Sequence, residues 1–100
     1  MSGTLRPSGG SIIVTLPPHA LEHAGLSLGD SVDLVEAEAG FAIQPTGADE
    51  PLASMKLRRE GSSTVCTVTK AIDETRLEPG DGVNIAVPFD SQRVNIRAEE

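Results

Sequence analysis

One hundred residues are the length of one ordinary domain, and folding such a chain removes about 60–65% of its unfolded surface from water. Phe41 and Phe89 are the only aromatics, so the core has to be aliphatic, and fifteen acids against eight bases give a net charge of −7. No apolar run approaches the ~20 residues that span a bilayer, the first residues lack the basic-then-apolar layout of a secretion signal, and the single Cys66 excludes an internal disulfide and fits a reducing cytoplasm.

A short strand is expected at 4–6, ahead of Ser11-Ile-Ile-Val-Thr-Leu16, whose β-branched residues suit a longer one. Pro17 and Pro18 stop that strand, and proline is tolerated in a first helical turn. Residues 19–24 then read as a short helix with Ala20, Leu21 and Ala24 on one face, closed by Gly25. Residues 26–30 make a turn in which Gly29 supplies positive φ and Asp30 bonds its own backbone. Residues 32–36 and 40–44 pair as a hairpin around a small acidic tip. Residues 46–54, with Gly, Asp, Glu and Pro, form a linker. The plan then repeats, with strands at 55–59 and 63–68, a helix at 70–75, the turn Pro79-Gly80-Asp81, and strands at 82–87 and 93–98.

The repetition is also residue by residue. Leu5, Arg6, Gly9, Ser11 and Thr15 recur 52 positions later as Leu57, Arg58, Gly61, Ser63 and Thr67. Ala20, Leu26, Gly29, Asp30 and Val32 recur 51 later as Ala71, Leu77, Gly80, Asp81 and Val83, and Ile43 recurs 53 later as Ile96. An offset that drifts this way marks one residue lost in the helix and two gained at a hairpin tip. The whole chain, 1–100, therefore reads as one domain built from a first repeat at 5–45 and a second at 57–98. One copy alone would fold poorly, because isolated hairpins are marginal in water. Two copies can share strands in one barrel and remove exposed edges.

The halves differ in charge. Residues 1–50 set Arg6 against seven acids, a net of −6, whereas residues 51–100 set seven bases against eight acids, a net of −1. A polyanion is therefore expected to meet the second copy. With only two lysines, Lys56 and Lys70, the acidic composition resembles that of proteins from salt-loving archaea, with an ordinary acidic bacterial protein as the bland alternative. At ~1 M salt the Debye length is about 3 Å, so crowded carboxylates repel little.

Ser11-Ile-Ile-Val-Thr-Leu-Pro17, a short helix, Ala24-Gly-Leu-Ser-Leu-Gly-Asp30 and then Val32-Asp-Leu resemble the AbrB/SpoVT/MazE-like DNA-binding domain. Glu78-Pro-Gly-Asp81 and Val83-Asn-Ile85 fit the same pattern in the second copy. The resemblance implies a mostly β fold with two short helices. It would be a swapped-hairpin β-barrel, formed here as an intrachain pseudo-dimer of two β-β-α-β-β repeats. It also implies a transcription regulator, or the antitoxin half of a pair, gripping DNA through bases near the first strands and the helix start. The first copy departs from that pattern with Pro18, His19, Leu21 and Glu22, and the second lacks the proline but has Lys70.

The phosphate-binding set is accordingly Arg6, Lys56, Arg58, Arg59 and Lys70, whose bland reading is charge that keeps an edge strand from aggregating. Arg76 reads as a cation at a helix end, and Arg93 and Arg97 as solvated charge. His19 and His23 stand one helical turn apart, but without a third ligand they make no metal site. Cys66 aligns with Val14 in the repeat and reads as a buried thiol. With no nucleophile–base–acid order, phosphate-cradling glycine loop or carboxylate pair, no catalysis and no cofactor are expected. The expected function is DNA-binding transcription regulation mainly through the second repeat, in the cytoplasm, by a monomeric pseudo-dimer or a homodimer. The alternative is a protein-interaction module of the same barrel that faces a toxin or regulatory protein. No membrane association is expected.

Overall fold

A computed structural model of the chain describes residues 2–37, 40–47, 49–75, 77–88 and 92–98, with the side chain of Glu74 excepted. The first copy supplies β1 (Ser2–Ser8), β2 (Ser11–Leu16), α1 (Pro18–Ala24), β3 (Ser31–Ala37) and β4 (Gly40–Pro45). The second supplies β5 (Ala53–Lys56), β6 (Arg58–Glu60), β7 (Ser63–Thr67), α2 (Thr69–Glu74), β8 (Gly82–Ala86) and β9 (Val94–Ala98). β5 and β6 together repeat β1, interrupted only at Leu57. The expected linker is thus shorter than 46–54, because Ala53 and Ser54 already pair with β3. Arg76 lies outside the described residues.

All pairings are antiparallel, in the order β5-β3-β4-β9-β8-β1-β2-β7-β6. The two ends of that order, β5 and β6, adjoin through Leu57, so the sheet curls into a nearly closed barrel. The hairpins are exchanged. β3–β4 lies between β5 and β9, both of the second copy, while β8–β9 lies between β4 and β1, both of the first.

The registers repeat with the sequence. Gly3 pairs with Val83 as Met55 pairs with Val32, and Thr4 with Gly82 as Lys56 with Ser31. A pseudo-two-fold axis follows from two pairs whose members are each other's repeat equivalents. These are Val14 with Cys66 on one wall and Ala42 with Asn95 on the opposite wall.

The Gly-Asp turns lock the exchange. In each, an aspartate side chain accepts from a backbone N–H three residues back, Ser27 to Asp30 at 2.8 Å and Glu78 to Asp81 at 2.9 Å. Each turn then clamps the other copy. The N–H of Leu57 donates to the Asp30 carbonyl and that of Leu5 to the Asp81 carbonyl, both at 3.0 Å. In return, the N–H groups of Gly29 and Gly80 donate to the carbonyls of Leu57 (3.0 Å) and Leu5 (2.8 Å).

Strand alternation sends Leu5, Val14, Leu16, Leu34, Phe41, Ile43, Cys66, Ile85 and Ile96 into one interior of mostly aliphatic side chains, which Leu57 and Val68 join from the strand ends. Each such side chain contributes roughly 1.5–3 kcal/mol by leaving water. Ala20 and Ala24 of α1 and Ala71 and Ile72 of α2 plug the interior. α1 begins on Pro18 and ends on Gly25, held left-handed at φ 70°, where a β-carbon would be strained. α2 ends instead on Thr75 in extended conformation, so the copies differ where the sequence loses one residue.

Two details tie the first copy's hairpin down. Asp33, 1% exposed, accepts from the Ser54 hydroxyl and from the Gly47 N–H at 3.0 Å, fastening both ends of the linker. Gly40 approaches β9 so closely that a β-carbon there would collide with the Ile96 carbonyl oxygen. Among the described residues, no helix is long and apolar enough to cross a membrane.

Candidate nucleic-acid interface

The pole marked by Val14 and Cys66 carries most of the expected site. Side chains alternate along a strand, so the residues between the inward ones on β1, β2, β7 and β6 form an outer face. Cross-strand partners share a face. One row runs Arg6, Ile13, Thr67 and its repeat equivalent runs Arg58, Val65, Thr15. Ile13 and Val65 are fully buried yet stand apart from the interior cluster. They form a small apolar floor on this face, each the cross-strand partner of an arginine, Ile13 of Arg6 and Val65 of Arg58.

Glu60 joins the two arginines. Its carboxylate lies 3.5 Å from the Arg6 guanidinium and 4.0 Å from that of Arg58, and it accepts from the Ser8 hydroxyl at 3.2 Å. Ser8 is the repeat equivalent of Glu60, and Arg6 that of Arg58, so four side chains related by the pseudo-two-fold meet above the floor. Arg6 also reaches Thr15 Oγ1 at 3.5 Å. All three charged side chains stay substantially exposed, about half for the arginines and 37% for Glu60. The ion pairs therefore add ~0–1 kcal/mol each. What the cluster does carry is a local excess of one positive charge on a chain of net −7.

The other expected bases are spread around this centre. Lys56 is exposed on β5 and shares the outward side of Arg58 by alternation. Arg59 is exposed but has the parity of buried Leu57, and pairs with Thr64 at the barrel rim. Lys70 is exposed on α2 next to Thr69, whose hydroxyl accepts the Ile12 N–H at 3.0 Å. Arg6 and Arg58 thus converge, Lys56 extends their face, and Arg59 and Lys70 flank it. The charge division by halves does not become a division by sides. Pairing of β2 with β7 joins the two copies at this pole and sets Arg6 of the acidic half beside Arg58 and Glu60.

At the opposite pole, where Ala42 pairs with Asn95, an open cleft of about 320 Å³ is lined by Ala37, Arg93, Asn95 and Arg97. Its polar lining has no counterpart in the first copy, where the equivalents of Arg93, Asn95 and Arg97 are Gly40, Ala42 and Gln44. Sequence reasoning left both arginines as solvated charge.

The rings of His19 and His23 stack on the exposed side of α1 with centroids 6.4 Å apart. Among the described residues, no three His, Cys, Asp or Glu side chains converge as metal ligands. Cys66 is fully buried, and that burial pushes its thiol up to about 12. A thiol held protonated so far above neutral pH is a packing group, not a nucleophile.

Glu60 and the floor of Ile13 and Val65 are the parts that sequence reasoning missed. The offset of 52 between Arg6 and Arg58 is their one sequence signal, because repeat mates near a two-fold axis must meet. Comparison with protein-family models, with curated proteins and with solved structures finds no match to this chain.

Proposed function

We propose that this chain is an AbrB-like, DNA-binding transcriptional regulator of the cytoplasm. In this reading it holds the phosphate backbone with Arg6 and Arg58 at the centre and Lys56, Arg59 and Lys70 around them. The observation that supports it is the meeting of Arg6 and Arg58 on one exposed face of the barrel. Two repeat-equivalent guanidiniums across a pseudo-two-fold axis suit a ligand that itself repeats, as a duplex backbone does. The second half of the chain supplies four of the five bases, and the first supplies Arg6 at the axis.

Affinity from phosphate neutralisation falls with salt by a slope of ~0.9 per contact. Five contacts give a slope near −4.5, or a loss of about 500-fold between 50 and 200 mM. Fluorescence anisotropy on DNA from the gene's own promoter region, taken across that range, tests the proposal directly. A slope near zero, or no binding at any salt, rules it out.

A second reading is a protein-interaction module, antitoxin-like or an adaptor. It is favoured by the net charge of −7, which repels polyanions and attracts a basic partner. A stoichiometric protein co-purifying without DNA would decide for it.

A further inference from the structure

We infer that the Glu60 carboxylate occupies a phosphodiester site and acts as an internal competitor for it, so that the barrel as built is held back from nucleic acid. The inference rests on the nucleic-acid reading above and adds to it the place of contact and a means of restraint. Its basis is the convergence of donors from both copies on one anion. The Arg6 guanidinium approaches one carboxylate oxygen at 3.5 Å, and the Arg58 guanidinium (4.0 Å) and the Ser8 hydroxyl (3.2 Å) approach the other. A carboxylate and a phosphodiester each present two oxygens that share one negative charge, and arginine forks pair with either. The donors therefore form a cradle that does not distinguish the two.

The repeat identifies the intruder. Position 8 of the first copy is serine, and its equivalent, position 60, is glutamate. With serine at both, the axis would carry two guanidiniums and two hydroxyls, with no anion between them. Glu60 converts that cradle from a doubly to a singly positive one and fills it.

The restraint is light, because the carboxylate is over a third exposed and its partners are about half exposed. A phosphate can displace it at small cost, since such exposed pairs hold weakly. Salt screens the repulsion between Glu60 and an incoming phosphate as it screens the attraction of the arginines. The restraint therefore shows most at low salt.

Glu60→Ser, the residue of the other copy, tests this on the full chain, with Glu36→Gln as the control. Glu36 is exposed on β3 and outside this face, so its loss alters overall charge alone. In anisotropy titrations at low salt, E60S should bind promoter DNA about tenfold tighter than wild type and reach the five-contact slope of about −4.5, with the wild type falling short of it by about 1. E36Q should change affinity less than about twofold. Adding Arg6→Ala and Arg58→Ala to E60S should abolish the gain. An E60S affinity equal to that of E36Q overturns the competitor.

If neither wild type nor E60S binds DNA, the nucleic-acid reading fails and the cradle is judged on its own. Inorganic phosphate titrated against E60S should then shift the Arg6 and Arg58 side-chain NH resonances saturably, with little change in wild type. No such shift in E60S overturns the site as well. Equal thermal melts of the variants establish that each is folded.

Discussion

Separating the two copies is the sharpest test of the exchanged hairpins. Residues 1–50 and 51–100 can be expressed as two chains and studied alone and mixed. Within one copy only the hairpins β1–β2 and β3–β4, or β6–β7 and β8–β9, can form. The pairings β2–β7, β1–β8, β3–β5 and β4–β9 all cross between copies. So do the clamps of the Gly-Asp turns on Leu57 and Leu5. Each fragment alone is thus a pair of unsupported hairpins, which water does not sustain. Mixed, they should rebuild the barrel at the cost of a bimolecular encounter. A short linker supplies an effective concentration of order 1 mM, so fragments at ~10 µM lose two decades, about 2.7 kcal/mol. For a chain of this size that lowers the melting temperature by roughly 10–20 °C and makes it depend on concentration. Circular dichroism melts of each fragment and of the mixture at several concentrations measure it. A cooperative melt from either fragment alone that does not depend on concentration, or a concentration-independent melt of the mixture, would refute the exchange.

Further outcomes follow from single residues. Cys66 stays protonated in the fold until about pH 12, while the unfolded chain ionises near 9.0. The folded state holds the extra proton between these values, so stability is full below pH ~9 and falls as pH rises, by up to about 4 kcal/mol. Cys66→Val, matching Val14 across the axis, should remove that decline, and a wild-type-minus-variant difference that stays flat from about pH 8 to about pH 11 would contradict it. Native Cys66 should also resist thiol reagents at neutral pH and react only in denaturant. Gly40→Ala should cost roughly 1–3 kcal/mol in denaturant titrations, because its β-carbon must push the Ile96 carbonyl aside. Asp33→Ala should cost roughly 2–4 kcal/mol, since the Gly47 N–H and the Ser54 hydroxyl both lose their acceptor. Asn84, the exposed repeat equivalent of Asp33, should tolerate alanine within about 0.5 kcal/mol.

The sequence by itself determined the elements and their duplication. The Pro17-Pro18 pair, Gly25 and the Gly-Asp turns punctuate the chain by local backbone chemistry, and such signals need no partner to be read. The offsets of 52, 51 and 53 also carried through to the registers, because equivalent residues under a two-fold must make equivalent pairs. Burial of Cys66 followed from its alignment with Val14. The helix bounds moved by a single residue, and β5 took two residues from the linker, because strand ends are set by the partner strand and not by local propensity.

Only the tertiary structure decided which copy each hairpin joins. The same alternation of apolar and polar residues buries the same faces with or without exchange, so the residue pattern alone fits both. The resemblance pointed to exchange, and the pairing of β3 with β5 and of β8 with β1 fixes it. The site needed the fold for the same reason. Arg6 and Arg58 are read at once as repeat equivalents, but a repeat offset does not say which pairs lie near the axis. That depends on the curl of the closed sheet, which also brings Glu60 over the floor of Ile13 and Val65. Charge counted along the chain likewise gave two unlike halves, and interleaving the strands placed an arginine of one beside the glutamate of the other.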